Sequence, residues 1–131
     1  AKAKLDFRLV PNQSPARIVQ LLRDHLNRHG FADIEIKPLH GMHPFHTDPH
    51  HPFVDIVLKS VAEVYPEPPV ILRNLAGSSP MYQLLGNTEI PAVQIGVANS
   101  QSNYHAPNEN IFVDDYILGI KVTAAVIQNF A

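Results

Sequence analysis

Apolar and polar positions alternate strictly near the start of the chain, with Leu5, Phe7 and Leu9 on one side and Asp6 and Arg8 on the other. That period of two predicts a half-buried strand over Leu5 to Val10. Pro11-Asn12-Gln13 ends it, and Ser14-Pro15 has the chemistry of a helix start: an N-cap hydroxyl followed by proline at the first helical position. The period then becomes helical. Ile18, Leu21, Leu22, His25 and Leu26 form the predicted buried stripe, while Arg17, Arg23, Asp24 and Arg28 fall on other faces. Gly30 is the expected residue just past the helix end. Alternation returns from Phe31 to Lys37, through Ile34 and Ile36, and predicts a second strand. Strand, helix, strand is a βαβ unit or half of a split one.

Pro38 to Pro52 breaks every period. It holds four prolines and five histidines (His40, His43, His46, His50 and His51) and reads as a hinge. Pro52 opens a helix to about Tyr65, with Val54, Val57, Leu58, Val61 and Ala62 as its expected buried side, and Pro66-Glu67-Pro68-Pro69 stops it. Val70 to Leu72 reads as a short buried strand, Arg73 to Ser79 as a loop, and Pro80 to Gly86 as a short helix. Ala92 to Ile95 reads as another buried strand. A last helix is predicted from Asp114 or Asp115 to about Phe130, with Ile117, Ile120, Ala124 and Ile127 as its stripe. This second half, helix-strand-helix-strand-helix, predicts part of a parallel sheet covered by helices, with functional loops at the strand C-terminal ends. The expected class is α/β, organised as residues 1–38 (βαβ), a hinge at 39–52, and an α-β-α-β-α segment over 53–131.

Composition narrows the chemistry. The 131 residues are 45% hydrophobic and 17% charged, enough for one ordinary core, and the formal net charge of −2 gives no reason to expect nucleic acid or an anionic membrane as partner. Cysteine is absent, which removes disulfides, thiolate metal sites and cysteine nucleophiles. Any metal must be held by His, Asp or Glu. No apolar run approaches the ~18 residues of a membrane span and no signal-peptide pattern is visible, so the expectation is a cytoplasmic protein.

The chemistry-bearing stretch is Tyr104-His105-Ala106-Pro107-Asn108-Glu109-Asn110, in a polar loop between a strand and the last helix. A loop histidine at a strand end is a common way to deliver a metal ligand or catalytic imidazole, although most such histidines are only solvated. The hinge histidines have no helical facing, because Pro44, Pro49 and Pro52 interrupt them, and Asp48 is their one acidic companion. They read as a solvated hinge more readily than as a native metal site. A Ser-His-Asp triad of Ser78 or Ser79 with His105 and Asp114 or Asp115 lacks the Gly-x-Ser-x-Gly elbow.

Four ordered segments carry a family resemblance: Asp6-Phe7-Arg8-Leu9-Val10-Pro11-Asn12-Gln13, the Gly77-Ser78-Ser79-Pro80 turn, Tyr104-His105-Ala106-Pro107-Asn108-Glu109, and the terminal helix. Together they resemble the zinc-dependent exopeptidases that include carnosinase-type dipeptidases, acetylornithine deacetylase, succinyl-diaminopimelate desuccinylase and aminoacylase. The pairing of Arg-Leu-Val-Pro-Asn with His-x-x-Asn-Glu looks most like the dipeptidase branch. The resemblance implies a catalytic α/β domain with two zinc ions (manganese the other candidate) and an inserted lid that also makes the dimer. His105 matches the last metal ligand, Arg8 the lid arginine that holds the substrate carboxylate, and Ser78 a residue that contacts substrate backbone. The alternatives from the residues alone are the polar face of an edge strand for Arg8 and an ordinary turn residue for Ser78.

The chain departs from the family pattern in two ways. Leu75-Ala76-Gly77 stands where the dipeptidases have an acidic residue and two glycines. The upstream ligands are also missing: the one His-x-Asp, His46-Thr47-Asp48, lies in the hinge, and no Glu-Glu pair exists. One histidine cannot hold a catalytic zinc, and the glutamate general base is absent too. The expectation is therefore a C-terminal fragment of a di-metal enzyme, comprising the second half of the lid, the hinge and the end of the catalytic domain. Its substrate would be a dipeptide or an N-acyl amino acid, and the piece alone would be inactive and would form a homodimer or otherwise self-associate. A non-catalytic α/β interaction module is the competing reading.

Overall fold

In the computed structural model, which describes residues 1–75 and 77–131, the regular elements are α1 (Pro15–Arg28), α2 (Pro52–Val64), α3 (Met81–Leu85) and α4 (Val113–Phe130). The chain divides into two compact units. The first is Ala1–His46 with Asn74–Ile90, and the second is Thr47–Arg73 with Pro91–Ala131.

In the first unit, the turn after Val10 has proline at its second position and Asn12 at φ 69°, the signature of a type II turn. The Gln13 amide donates to the Val10 carbonyl at 3.2 Å. Ser14 caps α1 as expected, its Oγ accepting from the Arg17 amide at 3.3 Å. The other end is a Schellman motif: the Phe31 amide reaches the Leu26 carbonyl, the Gly30 amide reaches that of Asn27, and Gly30 takes φ 81°. The predicted stripe is corrected in part. Ile18, Leu22 and Leu26 are half-buried, but Leu21 and His25 are exposed and Val19 is half-buried in their place. No residue of α1 is fully buried. Arg23 donates to the Ile34 carbonyl at 2.7 Å and holds the segment that follows the helix.

The second unit holds the best core. His51 caps α2 through Nδ1, which accepts from the Phe53 amide at 3.1 Å, and Pro52 occupies the first helical position. Val54, Val57 and Ser60 are the buried residues of α2, while Leu58 and Val61 are half-buried and Ala62 is exposed. The helix packs against α4, in which Val122 and Ala125 are buried. A polar clamp joins the same two helices: Asn129 donates to Ser60 Oγ at 3.0 Å and to Glu63 at 3.2 Å, and accepts from Lys59 at 2.7 Å. Phe53 and Phe130 meet edge to face with ring centroids 5.8 Å apart. The stripe predicted for α4 is on the wrong face. Ile117, Ile120 and Ile127 are 42%, 51% and 66% exposed, and the buried line is Gly119, Val122 and Ala125. The helix is apolar on two sides, so periodicity could not say which side meets α2.

The expected α/β class is also corrected. Among the described residues there is no strand, and so neither the βαβ unit nor the parallel sheet. The segments that read as strands do not pair with one another. Many of their apolar side chains stay open to solvent, with Leu5 63%, Val70 82% and Leu72 72% exposed, whereas Ala92, Val93 and Ile95 are half-buried. A period-two pattern specifies only that a segment suits a pleated, half-buried surface. The hydrogen-bonded ladder that makes it a strand has to come from a neighbour. No helix among the described residues is long and apolar enough to cross a membrane.

Candidate functional site

The His105 loop belongs to the second unit and is built from its own polar residues. Ser102, fully buried, accepts from the Asn99 amide through Oγ at 3.1 Å, and its carbonyl accepts from the Asn110 amide at 3.0 Å. The Asn110 side chain donates to the carbonyls of Gln101 and Asn108. Asn99 in turn donates to the Asp115 carboxylate at 2.6 Å, which ties the loop to the first turn of α4. Three non-glycine residues in this short stretch lie in the left-handed region: Asn103 (φ 51°), His105 (φ 56°) and Asn108 (φ 63°). Asparagine tolerates that conformation through local hydrogen bonds, whereas a left-handed residue other than glycine ordinarily costs ~1–2 kcal/mol. The loop therefore holds the His105 imidazole exposed on a strained, well-pinned backbone, an arrangement that clusters at functional sites.

The first unit brings together the other two candidates. Arg8, 70 positions away in sequence, donates from Nη1 to Ser78 Oγ at 2.8 Å, and from Nη2 to the Asp6 carboxylate at 2.9 Å. Its side chain is 53% exposed. A guanidinium carries five N–H donors, so two such bonds fix its plane and leave donors free for an incoming carboxylate or carbonyl. Asp6 was not singled out by sequence. Its signal is simple: residues two apart lie on one side of an extended segment, and Asp-x-Arg puts opposite charges there. Ala76, in the Leu75-Ala76-Gly77 departure, lies outside the described residues.

The hinge histidines are occupied differently. The His43 ring stacks on Tyr82 with centroids 4.7 Å apart, and His51 is the α2 cap. His46 lines a shallow cavity of about 190 Å³ with Pro44, Phe45, Tyr82, Leu85, Gly86 and Thr88, in the first unit. For the serine triad, the Asp115 carboxylate is held by Asn99. A metal does not fit what is described. A catalytic zinc takes about three protein ligands, and among the described residues no three His, Cys, Asp or Glu side chains are grouped to hold an ion. His105 can offer one ligand and no more.

Comparison with known proteins decides the ancestry. The model of peptidase family M20/M25/M40 matches residues 3–129. The chain belongs to that family. Among solved structures, this M20-family chain is similar to a M20 family metallo-carboxypeptidase, Sso-CP2, from Sulfolobus solfataricus. The two are 32% identical and superpose with a TM-score of 0.71 over 93% of this chain. The chain spans 28% of that protein's length. No curated protein matches it. The resemblance read from the four ordered segments thus holds at the level of the M20 family.

Proposed function

We propose that the chain is the C-terminal part of a di-metal exopeptidase that hydrolyses dipeptides or N-acyl amino acids, with two zinc (or manganese) ions in the complete enzyme. Arg8 binds the free carboxylate of the substrate, Ser78 contacts its backbone, and His105 supplies one ligand to a centre completed by groups outside the described residues. The observation that carries this reading is the Arg8–Ser78 hydrogen bond of 2.8 Å, which joins the two candidate substrate-binding residues across 70 positions of sequence. Membership of a peptidase family and likeness to a metallo-carboxypeptidase support it.

The parts assigned to this chain follow from its own groups. The Arg8 guanidinium, held in plane by Asp6 and Ser78, presents its remaining donors to a carboxylate and so measures the distance from the free terminus to the scissile bond. Exopeptidase action, and not internal cleavage, follows from that clamp. Because no three ligating side chains are grouped among the described residues, no hydrolytic step is assigned to the isolated chain.

The test is hydrolysis by the complete metallopeptidase that contains these residues, wild type against Arg8→Lys, with free-acid and carboxamide forms of one dipeptide. Loss of a charge-assisted pair is worth about 1.5–3 kcal/mol, so KM for the free acid should rise by about 10–100-fold in the variant. Equal hydrolysis of acid and carboxamide by the wild type would overturn the clamp. Hydrolysis by the 131-residue chain alone would overturn the assignment of the other ligands to a longer protein.

A further inference from the structure

The C-terminal turn of α1 carries a second chemistry that the peptidase reading does not use. His25 and His29 are four residues apart, and the His29 amide donates to the His25 carbonyl at 3.2 Å, so the two side chains rise from adjacent turns on one face. Their rings already lie together, with centroids 4.4 Å apart and planes tilted by 42°, and both residues are exposed. Of the hinge histidines, by contrast, His43 is stacked on Tyr82 and His51 has its Nδ1 committed to the Phe53 amide.

We propose that His25 and His29 form a two-imidazole site for a single borderline divalent cation, of the Ni²⁺, Cu²⁺ or Zn²⁺ class, whose remaining positions are filled by water. Paired histidines at this spacing on one helix face are the arrangement by which helices present two nitrogen ligands to one ion. Metal–nitrogen bonds of ~2.0–2.1 Å place two imidazole nitrogens within reach of one ion after a small opening of the tilted rings. The site lies at the carboxyl end of α1, where the exposed carbonyls favour positive charge. Arg28, beside His29 in sequence, is turned back along the helix, its Nε donating to the Asp24 carbonyl at 3.4 Å. Imidazole donors select borderline transition ions over Mg²⁺ or Ca²⁺, and the affinity order places Ni²⁺ above the earlier ions of the series. An ion bound there staples the last turn of a helix that has no fully buried residue.

The experiment is titration of the 131-residue protein with NiCl₂ and then ZnCl₂ in a non-coordinating, mildly alkaline buffer. Backbone amide spectra locate the Ni²⁺ by paramagnetic broadening, and calorimetry measures affinity. The expected result is one saturable site, with broadening centred on residues 25–30. Losing one arm of a chelate removes its effective-concentration advantage, so His25→Gln and His29→Gln should each bind roughly tenfold or more weakly. His40→Gln and His46→Gln should leave the affinity unchanged. Broadening centred on the hinge or on His105, broadening that never saturates, or full affinity in the two α1 variants would overturn the proposal. Both substitutions are at exposed positions, and the wild-type broadening map decides the matter even if a variant unfolds.

Discussion

Gly119 is buried in the interior of an eighteen-residue helix, where alanine would ordinarily be preferred by about 1 kcal/mol. The structure says why glycine stands there. A Cβ at position 119 would lie 2.5 Å from Val97 Cγ1 and 3.3 Å from Val97 Cβ. Carbon atoms prefer about 3.5–4.0 Å, so the closest contact is short by about 1 Å. Val97 is β-branched and stiff at χ1, so it cannot swing aside as a long flexible side chain would. Overpacking of this kind typically costs about 1–3 kcal/mol, against the helical gain of about 1 kcal/mol. Gly119→Ala should therefore destabilise the second unit by up to about 2 kcal/mol net. Urea unfolding followed by circular dichroism is the assay, with Val97→Ala and the double variant completing a cycle. Val97 is 37% exposed, so its own truncation should be mild, and it removes the methyl that clashes. In the Val97→Ala background Gly119→Ala should become neutral or stabilising, a coupling of about 1–3 kcal/mol. Destabilisation that is the same in both backgrounds, or a Gly119→Ala protein more stable than wild type, would refute the packing of α4 on Val97.

Three further outcomes follow from the same structure. Asn129→Ala removes the bonds to Ser60, Glu63 and Lys59 that clamp α2 to α4, and thermal unfolding should register a loss of about 1–3 kcal/mol, most of it from the contact with buried Ser60. His105→Gly should be more stable than His105→Ala by about 0.5–1 kcal/mol, since glycine adopts the left-handed conformation freely while alanine keeps the strain; equal stabilities would mean the backbone there is unstrained. Self-association, proposed from the exposed Val70, Leu72, Ile120 and Ile127, should appear in sedimentation as a mass that rises with protein concentration, and an invariant monomer would count against it.

What the sequence made legible was local chemistry. Ser14 and Gly30 announce both ends of α1 because caps and left-handed turns depend on the residue itself and its near neighbours. Pro52 and Pro80 mark the openings of α2 and α3 for the same reason. Facing was harder to read. The α4 pattern offered Ile117, Ile120 and Ile127 as the buried side, yet the close approach to Val97 requires Gly119 there, and only the three-dimensional partner reveals which apolar side is used. The strands failed for a related cause, since Leu5 to Val10 has the right alternation and Val70 to Leu72 the right apolar run, but among the described residues neither has a neighbour to complete a ladder. At the candidate sites, Arg8, Ser78 and His105 were visible through their ordered motifs. The orienting roles of Asp6, Asn99, Ser102 and Asp115 show only in the hydrogen bonds.

The central claim is that Arg8 and Ser78 together form the carboxylate-binding element of an exopeptidase, and it can be tested on this chain without catalysis. The measurement is a nuclear magnetic resonance titration of the ¹⁵N-labelled protein with an N-acetyl amino acid and, separately, with its carboxamide, following the Arg8 side-chain Nε–H and the Ser78 amide. The account predicts saturable shifts of both signals with the free acid, little response to the carboxamide, and loss of the Ser78 response in Arg8→Lys. Identical responses to acid and amide, or a carboxylate response that leaves Arg8 and Ser78 untouched, would contradict it.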